Sequence, residues 1–498
     1  MISRDSFTPV AITKVAGQYP DVFPFNPDEA YPEYSGRNLS NEPNYVYRAV
    51  RESLRLLGCD TEKVGSKEWN PLGFLIEPGD RVFIKPNLLT HEYRNSFGHN
   101  GDIYSVITHP SIVRAVADYA AIALKGQGEI IIGDNPCIDA DFNRLLEITQ
   151  LHLFESFYRD NFGVNCRVLD LRPMRTDNLY YYGFKSKTKQ LEGDPESSSI
   201  INLGEKSYFY GMNPLLFRGV YTKRWETIKH HHGKVHEYCI SNTVLNSDVY
   251  ISIPKLKTHH KVGVSLNIKG LVGINANKNF LIHWRLGFPK MGGDEFPPPH
   301  RLTDYFILAL RHLFLDLIPE EKYLWLRQQL KGTKLDILFQ DTKCLSFKHY
   351  RGAWDGNDTC WRMAADLYNV FVKDITGWRQ RNGKNRGVKT FSVLDGVVAG
   401  EGEGPFCPTA KPAQFIIAGE DLLLVDCIGV RLMDFKLEEV KYIDHLIRDN
   451  QVNLNKVSLI SEDLDTANFF DQNKNYLQFV PPVGWKKLTI GNHRGNKQ

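Results

Sequence analysis

Apolar residues recur along the first part of the chain in the two spacings that distinguish strands from helices. A short apolar run predicts a strand at residues 9–15, and apolar residues three and four apart predict a helix at residues 44–58. Residues 80–89 are a β-branched and apolar run that proline interrupts near its end, residues 129–134 are typical of a buried strand, and Pro110 opens a helix between them. This order predicts an α/β fold with a mostly parallel sheet flanked by helices.

The pattern then changes and divides the chain into four predicted parts. Residues 1–176 are the N-terminal α/β part, and residues 177–245 are rich in Tyr, Lys and His without clear periodicity, which indicates an inserted lobe. Strands and helices return in residues 246–450, including a helical hairpin near residues 302–330. Residues 451–498 predict a C-terminal strand and a polar tail.

Composition narrows the classes of function. The formal net charge is only +3, so we expect no nucleic-acid binding. The sequence contains no apolar run of about 18 residues, which predicts a cytoplasmic protein without membrane insertion. The 8 cysteines are scattered and form no C-x-x-C pair, so we expect no iron–sulfur cluster.

Polar residues stand where several predicted strands end. The carboxyl ends of parallel strands face a common crevice, where ligands bind. Lysines and backbone amides that meet there suit an anion such as a phosphate or carboxylate group, although each of these residues taken alone could be a solvated loop residue. The glycine-rich loop 400–405 would let the backbone approach a ligand closely. The predicted ligand-binding residues are Lys85, Asn87, His109, Lys255, Lys257, Arg362 and Gly404.

Carboxylates in the same predicted loops indicate a divalent cation. Asp134, Asp395 and Glu401 offer hard oxygen ligands, and Mg²⁺ held by them would also contact the phosphate of a ligand. His259 and His260 follow the paired lysines and could carry protons, with Asp134 as a further catalytic candidate. The alternative for the acidic residues is ordinary solvated loop charge.

Four blocks of sequence carry a resemblance to a known family. They are PGDRVFIKPNLL, THPSIVRAVADY with EIIIGDNP, SDVYISIPKLKTHHKVGVSLNIKGLVGI, and LDGVVAGEGEGP followed by LLLVDCIGVRLM, which occur in this order. In these blocks the chain resembles the "domain of unknown function 362" family of bacteria and archaea. The block AWDGNDTCWRMAADL resembles a longer branch of that family without a ferredoxin module. The resemblance implies an α/β fold, adds Lys269 to the ligand-binding positions and Asp426 to the metal positions, and implies no established reaction.

Three functions follow from these observations. The first is a metal-assisted enzyme that acts on a phosphorylated or carboxylated small molecule, and the longer branch's association with cell-surface polysaccharide genes suggests its pathway. The second is a non-catalytic metabolite-binding or assembly protein, because a binding pocket and an active site use the same residue types. The third is a nickel-cofactor enzyme, since PKLKTHHKVGVSLNIKG loosely resembles a loop of lactate racemase.

Overall fold

The computed structural model of the protein describes residues 8–34, 38–94, 101–176, 188–220, 224–298, 302–303, 306, 320–335, 352–383 and 386–490. The strands are β1 (Thr8–Lys14), β2 (Arg81–Pro86), β3 (Glu129–Asp134), β4 (Asn165–Asp170), β5 (Met174–Thr176), β6 (Thr188–Gln190), β7 (Ser198–Asn202), β8 (Phe217–Gly219), β9 (His231–His232), β10 (Val235–Ser241), β11 (Val249–Ile253), β12 (Lys255–His259), β13 (Gly263–Ser265), β14 (Ile282–Arg285), β15 (Lys389–Glu401), β16 (Thr409–Lys411), β17 (Phe415–Gly419) and β18 (Val457–Ile460). The helices are α1 (Tyr45–Leu56), α2 (Pro110–Leu124), α3 (Phe142–Thr149), α4 (Phe154–Phe162), α5 (Arg224–His230), α6 (Asn242–Leu245), α7 (Asn267–Gly270), α8 (Glu320–Leu330), α9 (Cys360–Asn369), α10 (Ile375–Arg381), α11 (Leu422–Leu432) and α12 (Lys441–Asp449).

One large sheet organises the molecule. Its strand order is β18-β1-β17-β15-β11-β2-β3-β4, and β12, β13 and β16 extend it beside β15. The strands from β15 to β4 run parallel, whereas β17 runs antiparallel to both β1 and β15. The predicted α/β fold with a mostly parallel sheet is therefore confirmed.

Apolar residues cover both faces of this sheet. Successive residues of a strand point to opposite faces, so Phe83 packs on one side with α9, α11 and α12, while Val82 and Ile84 pack on the other side with α1 and α2. Almost every residue of α2 is buried. The continuous apolar strands in the sequence reflect this burial on two faces.

The parts outside the sheet were predicted less fully. Within residues 188–241, the strands β7, β10 and β9 form a separate antiparallel sheet. Only α8 and a few further residues of the predicted hairpin fall among the described residues, and the rest of it lies outside them, as does the end of the polar tail. The division of the chain into four parts stays a prediction. No helix in the described ranges has the length and apolar character needed to cross a membrane.

Candidate functional site

A buried ion pair joins two of the predicted site residues. Lys255 in β12 and Asp395 in β15 are both fully buried, with 2.6 Å between Lys255 Nζ and Asp395 Oδ2. The Tyr19 hydroxyl donates to Asp395 Oδ1 at 2.5 Å, and the backbone N–H of His109 donates to Oδ2 at 3.0 Å. The His109 ring stacks on Tyr19 with 4.0 Å between the ring centroids. Asp395 was expected at a strand end, but it lies within β15, which continues to Glu401.

A second buried ion pair joins Lys85 at the end of β2 to Asp134 at the end of β3. Lys85 Nζ lies 2.9 Å from Asp134 Oδ1, and both side chains are about 5% exposed or less. Asp134 also accepts backbone hydrogen bonds from Leu88 at 2.8 Å and Asn135 at 2.8 Å. These contacts use both carboxylate oxygens of Asp134. They connect the ends of two adjacent strands.

Three of the other predicted residues are engaged in structural contacts. The Asn87 side chain accepts from Leu89 N at 3.3 Å. Lys257 Nζ donates to the carbonyl of Val106 at 2.5 Å, and burial, followed by repulsion from Lys255, lowers the pKa of Lys257 well below its ordinary value. Arg362 donates to both carboxylate oxygens of Asp358 and to the backbone carbonyl of Tyr208, and it is not among the residues that line the cavity described below.

The four predicted metal ligands have separate protein partners in the structure. Asp134 and Asp395 hold the two lysines described above. Glu401 lies 2.9 Å from Lys411 Nζ, and Asp426 accepts backbone hydrogen bonds from residues 267 and 268 in α7 at 2.8 and 3.0 Å. Across the residues that the structure describes, no group of three or more His, Cys, Asp or Glu is arranged to hold a metal. These carboxylates do not fit a shared Mg²⁺ ion, and the cation stays a prediction without support from their geometry.

A cavity of about 110 Å³ brings the remaining predicted residues together. It exceeds the space that one water needs and is smaller than the pockets of drug-sized ligands, so it suits a small molecule or the anionic end of a larger one. The residues that the structure shows lining it include no Asp or Glu. They are Leu89, Cys137, Ile138, Val220, His259, His260, Lys261, Lys269, Val272, Lys278, His283, Trp284, Pro405 and Phe406.

The lysines of the cavity lose part of their affinity for protons. The pKa of Lys261 is lowered to about 8, mainly by burial and to a smaller extent by the charge of Lys269, against the opposing effect of Cys360, Asp294 and Glu295. Burial likewise lowers the pKa of Lys278 to about 8. Near neutral pH these ammonium groups therefore remain mostly charged, but they can release a proton within the physiological range.

The three histidines of the cavity are neutral at pH 7. Burial holds the pKa of His259, His260 and His283 well below its ordinary value, and the neighbouring lysines lower it further. His259 Nδ1 accepts the backbone N–H of Lys261 at 3.1 Å. These rings add polar groups to the lining without adding charge.

Gly404 shapes one wall of the cavity through the backbone. Its carbonyl accepts the backbone N–H of His260 at 2.9 Å, and a Cβ atom added to it would lie 1.9 Å from the carbonyl oxygen of Thr258. Only glycine permits this approach between the 400–405 loop and β12. Pro405 and Phe406, which follow it, line the cavity.

A comparison with known protein families matches part of the chain. Residues 201–431 match the family described as Domain of unknown function (DUF362). This match agrees with the resemblance carried by the blocks SDVYISIPKLKTHHKVGVSLNIKGLVGI and LDGVVAGEGEGP, which lie within it. No curated protein matches the chain. Most of the cavity lining comes from the DUF362 region, but Leu89, Cys137 and Ile138 precede it, so the cavity combines the matched region with the strands before it.

Three of the six lysines and histidines that the structure shows lining the cavity were not predicted from the sequence. Lys261 directly continues the run KLKTHH, so the signal was present. Lys278 lies in a short turn capped by Asn277, and His283 lies in β14, where no periodic pattern marked them. Tyr19 was also missed, because it lies in a loop more than two hundred residues from Lys255 in the chain.

Proposed function

We propose that this protein is an enzyme that binds a small phosphorylated or carboxylated molecule in the cavity and transfers protons to or from it. The observation that carries the proposal is a lining that contains Lys261, Lys269 and Lys278 but no carboxylate among the described residues. An anion neutralises the repulsion between these lysines, which burial would otherwise make costly. The family resemblance favours a phosphorylated sugar from polysaccharide metabolism as one member of this class.

Proton transfer is the chemistry that the lining supports. A catalytic acid or base works best when its pKa lies near the working pH, and the pKa of Lys261 and of Lys278 is about 8. The neutral histidines, including the predicted pair His259 and His260, can accept protons. Asp134 is not part of this lining, so its predicted catalytic role rests on no contact with the cavity.

We expect anion affinity to fall as the pH rises through about 8. A bound anion stabilises the charged lysines and raises the pKa of Lys261 and Lys278 above the value of about 8 that they have in the empty site. Affinity should therefore be nearly constant below pH 7 and fall above pH 8 by up to about tenfold per pH unit for each lysine that must be protonated. Calorimetry with sulfate and with pyruvate, whose own charges are constant over this range, measures both affinity and proton uptake. Affinity that is unchanged from pH 7 to pH 9 would contradict the proposal.

Replacing Lys278 by methionine should weaken sulfate binding by about 10–100-fold, because a hydrogen bond to a charged group contributes about 1.5–3 kcal/mol. Lys67→Met is the matched control, since the Lys67 side chain is 78% exposed and remote from the cavity lining. Circular dichroism confirms that both variants are folded. Equal sulfate affinity in the two variants would remove Lys278 from the binding site.

A turnover assay and a metal analysis distinguish the proposed enzyme from the two alternative functions, a metabolite-binding protein and a nickel-cofactor enzyme. Wild-type protein is incubated with a panel of phosphorylated sugars and small carboxylic acids, and the products are followed by NMR with Lys278→Met as the control. Tight binding without any product would favour the metabolite-binding protein. Nickel detected by elemental analysis of gently purified protein would favour the nickel-cofactor enzyme instead. The predicted cytoplasmic location remains part of the proposal.

A further inference from the structure

The charge of Lys269 acts on most of the titratable side chains that line the cavity. Lys269 is only 7% exposed, and its charge lowers the pKa of several groups of the lining. These groups are His259, His260, Lys261, Lys278 and His283. A side chain whose charge acts on all of them is placed to contact whatever occupies the cavity.

The amine of Lys269 differs from its neighbours in its contacts. Lys278 Nζ donates to the carbonyl of Asn135 at 2.8 Å, and Lys261 Nζ lies 4.9 Å from the centre of the Trp284 ring. Lys269 Nζ makes no hydrogen bond or ion pair with the residues that the structure describes, although it lines the cavity. It therefore keeps its lone pair and its donors for a ligand.

The surroundings of Lys269 favour the uncharged amine. Burial is the main cause that lowers its pKa, and the ammonium of Lys85 lowers it further. The thiols of Cys360 and Cys137 oppose this, but burial also raises the pKa of both thiols, so they remain neutral near pH 7. A desolvated amine beside other cations is the environment in which lysine acts as a nucleophile.

Hydrogen bonds from neighbouring elements hold the backbone segment that carries Lys269. Asp426 accepts the first two N–H groups of α7, and the Asn267 side chain accepts from Ser392 Oγ at 2.9 Å. Asp426 therefore acts as a positioning residue for the turn that bears Lys269. A nucleophile requires such preorganised support.

We propose that Lys269 is a nucleophile that forms a Schiff base with a small molecule carrying both a carbonyl group and a carboxylate or phosphate group. The inference rests on the proposed function and deepens it by naming the reactive group of the substrate. The cationic lining binds the anionic group, and the unpartnered amine meets the carbonyl carbon.

The step needs no oxidant or further reactant. The nitrogen lone pair of Lys269 forms a C–N bond to the carbonyl carbon while the electron pair of the C=O π bond moves to oxygen. That oxygen takes a proton from a neighbouring ammonium such as Lys278, and the nitrogen gives up a proton to a neutral histidine of the lining. The protonated histidine then returns its proton to the hydroxyl group, which leaves as water while the nitrogen lone pair forms the C=N bond of a protonated Schiff base.

Borohydride trapping tests the inference on the full chain. Protein is incubated with pyruvate, with dihydroxyacetone phosphate or with acetone as the neutral control, then reduced with sodium borohydride and analysed by intact mass and peptide mapping. We expect one adduct on Lys269 with pyruvate or with dihydroxyacetone phosphate, and none with acetone. Mapping the adduct in wild-type protein identifies the lysine even where a variant fails to fold.

Two variants and a binding measurement show whether a negative result contradicts the Schiff base alone or also the proposed anion-binding function. Lys269→Arg keeps the charge without the nucleophilic amine, so it should bind sulfate and lose the adduct, and Lys269→Met should lose the adduct as well. Lys67→Met is the surface control and should be labelled like the wild type. Sulfate binding without an adduct, an adduct on another lysine, or equal labelling by acetone would overturn the inference and leave the proposed function standing. Absence of sulfate and pyruvate binding would overturn both.

Discussion

Replacing Lys255 by methionine is expected to lower the free energy of unfolding by about 3–5 kcal/mol, the range for removing one partner of a buried ion pair. The variant leaves the fully buried Asp395 carboxylate with hydrogen bonds from Tyr19 and His109 but without a countercharge. Urea denaturation at pH 7 measures the loss. Because neither Lys255 nor Asp395 lines the cavity, the sulfate affinity of the folded variant should equal that of the wild type.

An exposed ion pair provides the control for this variant. Arg386 lies 3.2 Å from Glu77, and the two side chains are 74% and 54% exposed. Arg386→Met should therefore cost no more than about 1 kcal/mol. The double variant Lys255→Met with Asp395→Asn should be less destabilised than the two single changes added together, because it removes both charges. A Lys255→Met protein as stable as Arg386→Met would show that this pair does not hold the strands together.

The strand ends could be predicted from the sequence, but the partners of their polar residues could not. Apolar runs ending at Lys85 and Asp134 indicated two adjacent strands, and the structure places these residues within one ion pair. The contact between Lys255 and Asp395 joins residues 140 positions apart, and nothing local in the sequence distinguishes it from a ligand site. The buried lysines and carboxylates satisfy each other in these two ion pairs, whereas their positions in the sequence had predicted an anion and a metal as their partners.

Local sequence patterns predicted only part of the cavity lining. His259, His260 and Lys269 were predicted through the strand-end pattern and the family resemblance. Lys278 and His283 come from an irregular turn and a short strand, and only the folded chain brings them into the same lining as His259, His260 and Lys269. Charge alone could not indicate this, because lysines in turns are usually solvated.

The contacts of Asp134 limit what a substitution at this residue can test. The sequence analysis treats it as a catalytic and metal-binding carboxylate, but its oxygens bind Lys85 and the N–H groups of Leu88 and Asn135. A substitution at Asp134 would therefore disturb the fold before it reported on chemistry. Loss of turnover in such a variant would not by itself identify a catalytic residue.

Gly273→Ala should destabilise the protein by about 3 kcal/mol and also weaken sulfate binding. A Cβ atom at Gly273 would lie 1.9 Å from Asp134 Oδ1 and 2.7 Å from Lys85 Nζ, so the methyl group and the ion pair cannot share this space. Overpacking typically costs about 1–3 kcal/mol, and we expect the upper end because separating a buried ion pair is itself costly. Thermal denaturation and sulfate calorimetry measure the two effects.

The effect on binding follows from a chain of backbone contacts. The carbonyl of Gly273 accepts the N–H of Asn135 at 3.0 Å, and the carbonyl of Asn135 accepts from Lys278 Nζ at 2.8 Å. A shift of Gly273 therefore moves the group that orients a lysine of the cavity. Gly270→Ala, three positions earlier, is the matched control, because a Cβ atom there meets nothing within 4 Å. If both alanine variants kept wild-type stability and affinity, the Lys85–Asp134 pair would not support the cavity, and the two buried lysine sites would have to be treated as independent.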